Sequence, residues 1–115
     1  MIILATFDEG YTVRKHTESG SKAQWDYNQG DSIHVFENVD FGLLMRQVWT
    51  QGVYTGAIRG WERFVWRSDV AIGCRKQIGK PNITLHYVEI KVDAQGSYHP
   101  VPRPRPANDK TRNAQ

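Results

Sequence analysis

Glycine punctuates this chain about once in every ten residues, at positions 10, 20, 30, 42, 52, 56, 60, 73, 79 and 96, and the runs between are rich in β-branched and aromatic residues. A glycine inside a helix costs about 1 kcal/mol relative to alanine, so such spacing leaves little room for long helices. Strands at intervals of about 8–12 residues with turn signals between them are the pattern of an all-β sandwich or barrel. The alternation predicts strands over Ile2–Phe7, Tyr11–His16, Ser32–Phe36, Gly42–Thr50, Val53–Ile58, Glu62–Trp66 and Ile83–Val92, with Gly42–Thr50 and Val53–Ile58 joined as a hairpin through Thr50, Gln51 and Gly52. A short helix or turn fits Ser19–Trp25. Ile83–Val92 carries apolar residues on both faces, so it is expected at the centre of a sheet or bending between two sheets.

A chain of 115 residues is one domain's worth, and its four Trp, five Tyr and four Phe suffice for a single core. The one cysteine, Cys74, excludes an intramolecular disulfide, and a reducing compartment is expected. Met1–Phe7 is too short for a secretory signal and is followed at once by Asp8 and Glu9, and no run reaches the ~18 apolar residues of a membrane helix. These features point to the cytoplasm.

Net charge is +3, but residues 1–99 balance eleven Lys and Arg against eleven Asp and Glu. The excess lies beyond Pro100, with Arg103, Arg105, Lys110 and Arg112 against Asp109. Pro100, Pro102, Pro104 and Pro106 occupy every second position there, which predicts an extended polyproline stem and then disorder. The expected organisation is therefore a β domain over 1–98 and a Pro/Arg-rich tail over 99–115.

Two segments carry a resemblance. Tyr27-Asn28-Gln29-Gly30-Asp31-Ser32-Ile33-His34-Val35-Phe36 resembles the Gly-Asp turn and alternating strand of SH3-like barrels. The stretch from Gly60 to Ile72, with its aromatic strand, Ser68-Asp69 turn and apolar close, is similar to the late part of such barrels. The resemblance spans about residues 27–72 and implies a small SH3-like barrel or compact sandwich. It implies no activity, because that superfold binds peptides, proteins and nucleic acids alike. No peptide-binding residues carry over from it.

Alternation places Arg59, Trp61, Arg63, Val65 and Arg67 on one side of a strand, with Glu62, Phe64 and Trp66 on the other. The second set is the natural core face. The first is expected to face solvent, interleaving arginine with tryptophan as partner-binding surfaces do. Trp49 and Arg46 extend that patch, and Arg103 and Arg105 add basic contacts from the tail. The bland alternative is a solvated strand face with arginine stems lying over Trp61.

His16, His34, His86 and His99 stand at no metal-ligand spacing, and no metal or cofactor is expected. Cys74 sits beside Arg75 and Lys76 but in no nucleophile signature. Asp26 and Asp31 suit turn amides better than an acid–base pair. The chain is thus expected to be a non-catalytic binding module, a small accessory protein of the kind phages encode, which engages a partner protein. A nucleic-acid-binding barrel using the same Arg/Trp stripe, and a structural subunit of a larger assembly, are the alternatives.

Overall fold

The computed structural model describes residues 5–107. In chain order the elements are β1 (Thr6–Phe7), α1 (Glu9–His16), α2 (Ser21–Asn28), β2 (Ile33–Phe36), α3 (Phe41–Gln51), β3 (Val53–Ile58), β4 (Trp61–Arg67), β5 (Gly73–Gln77), β6 (Lys80–Leu85), β7 (Tyr87–Val92) and β8 (Ser97–Arg103). A five-stranded sheet runs β1-β8-β7-β4-β3, antiparallel except for β1 on β8, and an antiparallel sheet runs β2-β5-β6. The fold is mainly β. The two described sheets stay open, so the expected barrel is not formed.

Two expected strands are helices. Tyr11–His16 lies in α1, whose N-terminus is capped by Asp8 through a 3.0 Å hydrogen bond from the Tyr11 amide to Oδ1. Gly42–Thr50 lies in α3, where Asp40 Oδ1 accepts from the Leu43 amide at 3.0 Å. Phe41, Leu44, Met45 and Val48 fall at i, i+3, i+4 and i+7, a helical stripe. Gly42 sits in the first turn of that helix, where its cost is small, and so did not forbid it. The short helix expected near Ser19–Trp25 is α2.

The long expected strand Ile83–Val92 breaks at His86. Its first half, in β6, belongs to the small sheet and its second, β7, to the large one. The expected boundary at His99 lies inside β8, which is laddered to β7 from Tyr98 to Arg103. Period-two proline is what permits this. Pro100 and Pro102 cannot donate, so the ladder to β7 is made by the residues between them, and every missing donor faces the other edge, where β1 reaches only Ser97 and Tyr98. The expectation for the last tail residues falls on 108–115, outside the described residues, as does the first half of the expected strand Ile2–Phe7, whose end is β1.

One face of the large sheet is apolar. Val88, Ile90 and Val92 pack with Leu44, Met45 and Val48 of α3, and Phe64 and Trp66 join them. The other face carries Arg63, Glu89, Lys91, His99 and Arg103, and α1 and β2 lie against β8 on it. At its centre the Glu89 carboxylate is fully buried. It accepts from Arg63 Nη1 at 2.6 Å and from the Ala107 amide at 3.3 Å. Arg103 Nε lies 3.1 Å from the same Oε1, close enough for an ion pair though not aligned for a hydrogen bond.

Removing one side of a buried ion pair leaves a bare charge inside and costs about 3–5 kcal/mol. Glu89→Ala is therefore expected to lower the urea midpoint far more than alanine at the exposed Glu62, and equal midpoints would show that the clamp contributes nothing.

Candidate active site

The stripe on β4 has the expected alternation but not the expected exposure. Arg63 is only 4% exposed and Val65 is buried, because this face of the sheet is roofed by other elements instead of water. Cross-strand pairing sets Arg63 beside Lys91, and Lys91 beside His99, so a row of three basic side chains crosses β4, β7 and β8 on one face. Directly opposed residues of an antiparallel pair share a face, which is why sequence positions 63, 91 and 99 converge.

From above, α1 brings His16 down onto this row. The His16 and His99 rings lie nearly parallel, 13° apart in plane and 6.0 Å between centroids. Tyr11 packs on His99 at 4.6 Å, Trp61 meets His99 edge-on at 5.4 Å, and Lys91 Nζ stands 4.7 Å from the Trp61 ring centre. The two imidazoles are buried, whereas Tyr11, Trp61 and Lys91 are half-buried and form the rim.

His16 Nδ1 lies 3.0 Å from the carbonyl oxygen of His34. A carbonyl only accepts, so Nδ1 carries the proton and, in the neutral ring, Nε2 keeps its lone pair. The fold thus fixes the tautomer that makes Nε2 a proton acceptor. Burial lowers the His16 pKa to about 3 against the raising effect of the His34 carbonyl, and nearby His99 and Lys15 lower it further. Burial lowers His99 to about 4, with Lys91 adding repulsion. Lys91 is itself held below its ordinary value by burial and then by Arg63 and Arg103.

The remaining expected contact residues divide. Arg59, Arg63, Arg103 and Arg105 come together around one cleft beside the histidines, together with His34. Trp61 joins the histidine site. Arg67 lies further along β4, exposed, with its guanidinium 5.9 Å from the Tyr87 ring. Trp49 faces the apolar core, packed on Phe64 and Tyr98, and Arg46 is exposed on α3 beneath the opposite face of the sheet. Cys74 is buried in β5 of the small sheet, where burial raises its thiol pKa. Among the described residues no group of three or more His, Cys, Asp or Glu is placed to hold a metal ion, and no helix is long and apolar enough to cross a membrane.

Residues 4–107 match a family model described as Domain of unknown function (DUF6972). The chain belongs to that family. The matched region begins just before β1 and runs past β8 through the turn that carries Arg105, so both the histidine pair and the arginine cleft lie within the family unit. Searches of the curated proteins and of the solved structures give no match.

The pair His16/His99, with Tyr11 and Lys91, went unseen in the sequence because its members are 83 positions apart and share no local motif. The one available signal was a polar face on strands that also carry apolar residues, with a histidine in its last strand.

The depressed histidines have a consequence for stability. Their folded pKa values lie below the unfolded value of about 6.5, so the unfolded chain binds protons that the fold refuses. Their contribution is complete above about pH 6.5 and is lost as pH falls toward 4 and then 3. Each histidine is expected to remove about 1.4 kcal/mol per pH unit across that window. The drop in urea midpoint between pH 7 and 4.5 should be smaller in His16→Gln/His99→Gln than in the parent, and an identical drop would rule this origin out.

Proposed function

We propose that this domain is a ribonuclease in which His16 and His99 work as a base and acid on one phosphodiester. The observation that carries the reading is the parallel imidazole pair with the His16 tautomer fixed by His34. Two facing imidazoles suit a reaction that must take a proton at one oxygen and return one at another. The surrounding cations favour an anionic substrate, and the aromatic rim of Trp61 and Tyr11 offers faces on which a base can stack.

The nucleophile is best supplied by the substrate. The Thr12 hydroxyl, one turn before His16, is donated to the Asp8 carbonyl at 2.8 Å, and Cys74 belongs to the other sheet. In RNA the 2′-hydroxyl stands next to the phosphate. His16 Nε2 accepts its proton as the O2′–P bond forms, and His99, protonated, gives a proton to O5′ as the P–O5′ bond breaks. The products are a 2′,3′-cyclic phosphate and a 5′-hydroxyl, and proton exchange with water resets both rings. Lys91 offsets charge gathering on the non-bridging oxygens.

This reading departs from the expected non-catalytic binding module, whose proposed surface had Arg63 at its centre. With Arg63 inside, the stripe becomes the floor of a site. It takes nucleic acid, the alternative partner, in place of the expected partner protein.

Incubation of the purified chain with single-stranded RNA is expected to yield fragments ending in cyclic phosphate. A strand with deoxyribose at the cleaved position should be inert. His16→Ala and His99→Ala should each lose about 10²–10⁴-fold in rate while keeping the parent circular dichroism. Because the protonated form of His99 is scarce in the free protein at neutral pH, kcat/KM is expected to rise as pH is lowered from 8 to 5. Intact RNA after incubation with folded protein would overturn the reading, and binding without cleavage would leave a nucleic-acid-binding module in its place.

A further inference from the structure

Beside the histidine pair lies a cleft of about 410 Å³ whose lining includes His34, Arg59, Arg63, Arg103, Arg105 and Pro106. Four arginines line it, and Glu89, which is fully buried, is already shared by Arg63, Arg103 and the Ala107 amide. Arg63 spends Nη1 on Glu89, and its Nη2 stands 3.5 Å from the Ile58 carbonyl, but its buried Nε has no hydrogen-bond partner. Among the described residues the arginines at the cleft therefore outnumber the carboxylates paired with them.

The backbone adds a second observation. Ile58 pairs with Trp61, so the β3–β4 hairpin turns on two residues, Arg59 and Gly60, both with positive φ (54° and 81°). Such a turn favours Asn-Gly or Gly-Gly. An arginine in this left-handed conformation is locally unfavourable, and side chains held against such a preference concentrate at functional sites. Here the side chain lines the cleft.

We propose that this cleft is a second phosphate subsite, which takes a phosphate of the same RNA strand adjoining the one cleaved between His16 and His99. The inference rests on the ribonuclease reading and deepens it. Two connections put the sites side by side. His34 lines the cleft while its carbonyl holds His16 Nδ1, and Arg63 lines the cleft while pairing across the sheet with Lys91, the neighbour of His99. Arginine suits the task because its planar fork grips phosphate oxygens in pairs. Burial first, and then the positive charge of neighbouring arginines, also disfavour the protonated form of His34, so the field of the cluster reaches into the site.

The test uses the full chain and a single-stranded 2′-O-methylated oligoribonucleotide, which cannot be cleaved by its own 2′-oxygen. Arg59→Asn removes the guanidinium and installs a residue suited to positive φ, so its thermal midpoint should equal or exceed that of the parent. Its affinity for the oligonucleotide should nevertheless fall at least fivefold, and the slope of log affinity against log salt should shrink by about 0.7. Arg105→Ala should behave alike in binding. Both variants should cleave a dinucleoside monophosphate, which has no second phosphate, at the parent rate. Failure of the parent to cleave that dinucleotide while the affinity losses persist would defeat the histidine reading and leave the phosphate subsite standing. Unchanged affinity and salt slope in both folded variants would overturn the subsite.

Discussion

The polar half of this fold hangs on one buried carboxylate. Glu89 lies in the central region of the five-stranded sheet with no access to water, and it holds Arg63 from β4, Arg103 from β8 and the amide of Ala107 beyond β8. Burying a carboxylate alone is prohibitive, and burying an arginine alone is little better. Together they allow charge to sit at the centre of a sheet whose other face is an ordinary apolar core. The cluster also fixes the turn after β8, where the Ala107 amide is bonded to Glu89. Arg105 is thereby placed near Arg59, which comes from a hairpin more than forty residues earlier.

Such a sheet has two jobs, divided by face. Beneath it, α3 supplies the large apolar side chains that hold the domain together. Above it, α1 and β2 cover basic and aromatic side chains without filling the space among them, and the histidine pair forms where α1 ends against β8. The division explains why period-two alternation was so readable on β4 and yet misleading. Arg63 and Phe64 do point to opposite sides, but both sides are interior. In a small antiparallel sheet a polar face usually means water. Here it means a face covered by α1 and β2.

The parts of the fold legible in the sequence were those decided locally. β3, β4 and β2 follow from alternation and turn residues, while the apolar residues on both faces of Ile83–Val92 allowed a central strand or a bend, and the structure takes the bend at His86. The parts that were not legible depended on context. α3 was hidden by Gly42, whose cost vanishes in a first helical turn. β8 was hidden by its prolines, which are tolerated because their period matches the pleat and one edge of the strand is unladdered. The pairing of His16 with His99 was beyond any spacing rule, since it is made by the parallel docking of β1 on β8 and the helix that follows β1, not by neighbours in sequence. Yet four of the arginines and Trp61 singled out by composition do gather around one region, so the residue types that bind partners were visible before their geometry was.

The electrostatics of that region form a single pattern. His99, Lys91, His34 and Arg103 are all pushed toward their uncharged forms, each first by burial, and the positive charge of neighbouring cations presses each the same way. Glu89 opposes the shift of Lys91 and Arg103, and Asp8 and Asp93 oppose that of His99. A protein selected for stability alone would relieve such crowding by exchanging an arginine for an apolar residue of like size, which is often neutral or favourable in a buried pair. It would also place asparagine at position 59. Among the described residues these broken local rules gather in one cleft, and under the proposed function an entering phosphate completes its charge balance. An anion entering between Lys91 and the arginines reverses the sign of the strain. It lowers the repulsion among the cations and favours the protonated form of His99, the state required of a proton donor. Substrate binding and activation of the acid are on this view the same electrostatic event.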